Sequence, residues 1–237
     1  MVNANLTREG DAIRQVRAAE AELALILSYS PDAAARGALA ALLDLDAALA
    51  DVLRASRDAM LVQMRLTWWH QALCRLDESP APAMPVLTVL ADRIVPLGVR
   101  GTELAALVEG WETLGEGDPA DPSVRSAYAR QRGALLFALA ARLSGNPDFA
   151  TGDAGRGWAL ADLSRKLSDP VAAQAARAEA GEALAAALGQ RWPRSLRSLG
   201  ALAHRSAMDL GVAPAMPLPA ATPRRVARLA WHRLTGR

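Results

Sequence analysis

The sequence predicts an all-α protein built as a single helical bundle, and three observations carry that reading. Ala, Leu and Arg dominate the 237 residues while β-branched and aromatic residues are few. Cap residues followed by proline recur at helix-length intervals. No fixed-period repeat is visible, which favours a bundle over a solenoid.

The elements follow in order. Ser30 then Pro31 reads as an N-cap with proline at the first helical position, opening a helix to about residue 53. Asp58 caps the next helix, which runs to about residue 75, and the three prolines of 79–85 break the chain. Thr102 and residues 105–111 give a short helix ended by 115–119. Asp121 and Pro122 repeat the cap-and-proline signature before a helix to Leu143, closed by Gly145, with Ala134, Phe137, Ala138 and Ala141 along one face. Further helices are expected over about 154–167, 171–188 and 193–210. Four prolines in 211–223 mark a linker to a last helix. The domain plan is therefore a helical domain over 1–212, a Pro-rich linker over 213–223 and a basic amphipathic helix over 224–237.

Half of the residues are apolar, enough for a substantial core. Net charge is only +2, Lys166 is the sole lysine, and no basic stripe with interleaved aromatics occurs, which argues against nucleic acid as a partner. Cys74 is alone, so neither an internal disulfide nor a CxxC metal site can form, and a reducing cytoplasm fits. The early charges Arg8, Glu9, Asp11, Arg14 and Arg17 are unlike a secretory signal. The richest apolar run, 134–141, is far short of a bilayer span. The expected location is cytoplasmic, with peripheral attachment to the inner membrane face as an option. His70, His204 and His232 lack metal-ligand spacing. No GxSxG elbow or Gly-rich phosphate loop is present.

Three stretches point further. Residues 36–52 run from Arg36 into a small-residue helix; Met64-Arg65-Leu66-Thr67-Trp68-Trp69, with His70 and Leu73, follows; and Tyr128-Ala129-Arg130 leads through 133–136 to Leu143-Ser144-Gly145. In this order and spacing they resemble the squalene/phytoene synthase family, whose signature RLxWWRxxL is matched except that His70 replaces an Arg. The resemblance spans roughly 25–170. It implies the all-α isoprenoid synthase fold and head-to-head condensation of two prenyl diphosphates, with Mg²⁺ held by aspartates on facing helices. It also implies Arg36, Arg65, Tyr128, Arg165 and Lys166 as ligand-binding residues.

The aspartate motifs depart from that pattern. DDxxD aligns with Ala50-Asp51-Val52-Leu53-Arg54, so only Asp51 is kept, Arg54 puts a cation at a ligand position, and Leu43 stands at the usual tyrosine. Asp44 and Asp51 share a face but lie roughly 10.5 Å apart along the axis, whereas Mg²⁺ wants oxygens about 2.1 Å away. Asp46 is expected to point elsewhere, and Arg54 or Arg57 to pair the acids. In the second motif Asp162 and Asp169 are again two turns apart, and Arg165 and Lys166 can meet a diphosphate. Trp68 and Trp69 point about 100° apart, so either both are packing residues or one fills the core while the other reaches an adjoining surface or cavity.

Three function classes follow. The first is a catalytically degenerate family member serving as a binding or assembly module, with no cofactor; by resemblance this includes respiratory-complex assembly, with a protein partner. The second is an active prenyl transferase with Mg²⁺ on the candidate catalytic residues Asp44, Asp51, Asp162 and Asp169. The third is a peripheral membrane or lipid-chain binder that takes an apolar ligand. For the last, Arg224, Arg225, Arg228 and His232 form a basic side of the C-terminal helix. Ala227, Ala230, Trp231 and Leu234 form an apolar side suited to an anionic membrane.

Overall fold

A computed structural model describes residues 2–56 and 58–237, and side chains within these outside 2–9 and 11. Arg57, Arg8, Glu9 and Asp11, invoked above, lie outside the described side chains. Among the described residues all regular structure is helical. The chain runs α1 (Val2–Leu27), α2 (Ala33–Ala55), α3 (Ala59–Cys74), α4 (Pro85–Arg93), α5 (Gly101–Glu116) and α6 (Pro122–Tyr128). A π-helical segment (Ala129–Ala134) then leads into α7 (Leu135–Leu143), followed by α8 (Gly152–Ser164), α9 (Pro170–Gly189), α10 (Arg197–Leu210) and α11 (Pro223–Thr235).

Caps explain most of the boundaries. Asp58 accepts from the Met60 amide at 2.9 Å, Asp121 from Ser123 at 2.7 Å, and Asp169 from Val171 at 3.0 Å. Gly145 closes α7 at φ +74°, a left-handed position glycine adopts without a Cβ penalty. The Ser30–Pro31 start is corrected: Asp32 caps α2 through the Ala35 amide at 2.8 Å, a carboxylate being the stronger acceptor at a helix start, while Ser30 and Pro31 form the preceding bend. Pro85 opens α4 rather than ending a loop. On α7 the buried face centres on Leu136 and Ala140, which turns Ala138 outward, against the expected face.

α8 is the central helix, buried along most of its length and packed on α9, the π segment, α7 and α10. It gets this close because its contact residues are small. An added Cβ on Gly133 would meet the Gly155 carbonyl oxygen at 2.1 Å, and one on Gly155 would meet that of Gly133 at 2.2 Å. α2 lies across from α8, packed on α3, α4, α5 and α7, and α11 packs on α10. The tryptophan pair divides, Trp69 buried and Trp68 exposed, so the two do not both pack in the core.

Candidate functional site: a charged cavity between α2, α8 and α10

A cavity of about 260 Å³ opens between α2, α8 and α10, floored by Arg132 of the π segment. Arg132 is 3% exposed. Its Nε and Nη2 donate to the two Asp46 carboxylate oxygens of α2 at 2.7 and 2.8 Å, and its Nη1 donates to Asp162 Oδ2 of α8 at 2.8 Å. Nη1 also donates to the Tyr128 hydroxyl. The guanidinium lies 4.4 Å from the Trp111 ring and 4.5 Å from the Trp158 ring. Lys166 reaches Asp162 Oδ2 at 2.8 Å, so charge alternates Asp46, Arg132, Asp162, Lys166 across the cavity wall.

Local structure explains the position. The π segment adds a residue to the helical turn, a device that re-aims side chains at functional positions. Gly110 lets α5 close on it, since a Cβ there would meet the Arg132 amide at 2.8 Å. Burial opposes charge on both partners, and the pairing overcomes it. Burial would lower the Arg132 pKa, but Asp46, Tyr128 and Asp162 hold it well above the usual arginine value. Burial would likewise raise Asp162, yet Arg132 and Lys166 hold it below the ordinary aspartate value. Burial in this cage drives the Tyr128 phenol upward, so it stays neutral.

On the α10 side, Arg225 donates to both Glu22 oxygens at 2.9 and 2.7 Å and to Asp209 Oδ1 at 2.7 Å, tying α1, α10 and α11 together. Burial raises the Asp209 pKa despite that partner. Among the described residues the cavity wall carries five cations, Arg54, Arg132, Arg165, Lys166 and Arg205, against three carboxylates, Asp46, Asp162 and Asp209. Two of the cations keep buried N–H groups without a partner, Arg165 at Nη1 and Arg205 at Nε. Unanswered buried donors of this kind are costly. Apolar wall is supplied by Leu23, Leu43, Trp158, Leu202 and Leu218.

Of the sequence candidates, Asp162, Arg165 and Lys166 line this cavity, and Tyr128 lies beneath it as a buried support for Arg132. The proposed metal set is corrected. Asp44 and Asp51 border a different groove with Val86 and Val89 of α4, Asp51 pairs with Arg54, and Asp169 caps α9. The four carboxylates therefore do not converge. Asp46, expected to point elsewhere, is the α2 acid that meets α8: it lies two residues from Asp44, so it projects about 200° around the helix, onto the buried face. Arg36 and Arg65 are exposed and outside the cavity wall. On α11 the basic side is the docking side. Arg225 and His232 are buried and Arg228 leans on His204, while Arg224 and Trp231 face outward. Sequence reasoning missed Asp46, Arg132, Trp158, Arg205 and Asp209. The available signal was Gly110, Gly133 and Gly155 inside helices, where a glycine marks close approach.

No protein-family model, curated protein or solved structure matches the chain.

Proposed function

We propose that this protein is a metal-independent binding module, a catalytically degenerate relative of the squalene/phytoene synthases with their isoprenoid synthase fold. Its cation-rich cavity receives a phosphate-bearing head group while the apolar wall takes the adjoining hydrocarbon. The observation that supports the reading is the Arg132 guanidinium between Asp46 and Asp162. In the family that the sequence resembles, Mg²⁺ bridges carboxylates of facing helices; here an arginine already pairs with both. The residues do not fit Mg²⁺, which requires near-octahedral oxygen ligands at about 2.1 Å. Among the described residues no three His, Cys, Asp or Glu side chains gather in a group able to hold a metal ion. Anion affinity then falls to Arg165, Lys166 and Arg205.

The test is a titration with farnesyl diphosphate, followed by tryptophan fluorescence with EDTA or with Mg²⁺, alongside an assay for released diphosphate. Binding should be the same in both buffers, with no diphosphate released. Arg205→Ala should weaken binding about tenfold or more, the worth of a charged hydrogen bond of about 1.5–3 kcal/mol. Mg²⁺-dependent release of diphosphate, or no binding, would overturn the proposal.

A further inference from the structure

α11 is oriented against the usual rule for a surface helix, polar side inward and apolar side outward. Its inner face is fixed by polar contacts. Arg225 is clamped by Glu22 and Asp209, and the His232 ring meets the Arg197 carbonyl at 3.1 Å. Arg197 in turn donates to the His232 and Arg233 carbonyls, and the Trp192 amide donates to the Gly236 carbonyl at 2.9 Å. Leu229 is the one fully buried apolar side chain of the helix. The outer face carries Val226, Ala227, Ala230, Trp231 and Leu234, with Trp231 58% and Leu234 78% exposed. Successive outer residues fall at i, i+3, i+4 and i+7, so they form one stripe rather than scattered points. The clamps make that stripe a fixed surface.

The charge along the stripe's own segment is of one sign. Residues 210–237 contain no Asp or Glu. Arg224 and Arg233 flank the stripe, both exposed, and Arg191 adds a cation at its C-terminal end by donating to the Thr235 carbonyl at 3.2 Å. The charge of Arg225, by contrast, is answered inside the fold.

We infer that the outer face of α11 docks on an anionic lipid surface, with Trp231 and Leu234 at the headgroup boundary and Arg224 and Arg233 against acidic headgroups. Tryptophan favours that boundary, and arginines beside an apolar face favour an anionic leaflet. A second copy of the chain fits poorly, because a two-fold contact through this stripe brings the flanking arginines of both copies together. The inference is independent of the cavity reading, since none of the residues of the stripe lines the cavity.

Co-sedimentation of the full chain with phosphatidylcholine vesicles, with and without phosphatidylglycerol, tests it. Binding should require phosphatidylglycerol and weaken as salt rises. The double variant Trp231→Ser/Leu234→Ser should bind roughly tenfold or more weakly with an unchanged melting temperature, both side chains being exposed. Arg224→Glu should weaken binding on its own and guards against a folding defect in the double variant. The inference is overturned by absent binding, by equal binding to both vesicles, or by a concentration-dependent dimer that the double variant abolishes. An acidic protein competing the chain off vesicles without losing affinity for the double variant would also count against the stripe.

Discussion

Arg132→Met removes the charge at the centre of the cavity while keeping an apolar side chain of similar length between Trp111 and Trp158. It leaves Asp46, 8% exposed, without the two hydrogen bonds that now answer it, and Asp162 with Lys166 alone. Removing one partner of a buried ion pair costs about 3–5 kcal/mol. For a chain of this size each kcal/mol moves the melting temperature by about 2–4 °C, so a fall of roughly 10 °C is expected. The deficit should depend on pH with a definite sign. An unpaired buried carboxylate has its folded pKa raised above the unfolded value of about 3.9, so its protonated form fits the fold at low pH, and stability is lost as pH rises through the raised value. The variant should therefore fall further behind the parent at pH 8 than at pH 5. Adding Asp46→Asn and Asp162→Asn should recover much of the loss, because neutral amides replace the stranded charges. Thermal melts followed by circular dichroism at several pH values provide the measurement. A loss below about 1 kcal/mol, or a pH-independent one, would refute the argument that Arg132 holds this pair.

Other substitutions probe separate parts of the account. Gly133→Ala should destabilise by about 3 kcal/mol in a urea titration, because its Cβ would strike the Gly155 carbonyl, whereas Gly181→Ala, with open space around it in α9, should stabilise by about 0.5–1 kcal/mol; equal effects would show that the α8 contact is looser than described. Burial, their mutual repulsion and Arg228 depress the His204 pKa to about 3, and burial foremost takes His232 to about 4. The unfolded chain therefore takes up protons that the folded one refuses: stability is fully present above about pH 6.5 and declines toward pH 4, and a melting temperature flat over that range would contradict it. Arg225→Ala strands Glu22 and Asp209 and should release α11, read as faster hydrogen exchange over 223–235 than in α8. Asp44→Asn and Asp51→Asn should leave diphosphate binding within about twofold, since both face the other groove; a tenfold change would restore them to the site.

Helix positions were legible in the sequence to the extent that local chemistry set them. Asp58, Asp121 and Asp169 each cap through amides two or three residues away, an interaction complete within one turn. At the start of α2 the sequence pointed to Ser30, whereas the cap is the carboxylate of Asp32. The cavity was legible only in part. Lys166 and Arg165 follow Asp162 closely and were found with it, while Arg132 meets Asp46 across 86 residues of chain, a pairing that no local pattern encodes. The π segment hid Arg132 further, because a 3.6-residue period extrapolated through it puts side chains at the wrong angle. The C-terminal helix was amphipathic by sequence, but periodicity cannot say which of two faces turns inward.

By itself, then, the sequence determined the all-α class and most helix boundaries, because propensity and capping act over a few residues. Only the tertiary structure decided that Asp46 rather than Asp44 or Asp51 faces α8, that Arg132 stands between the two carboxylates, and that α11 buries its arginine and histidine instead of its tryptophan. These are outcomes of long-range ion pairing. A buried charge takes the face where its partner lies, and the partner's place is fixed by packing of helices far apart in the chain.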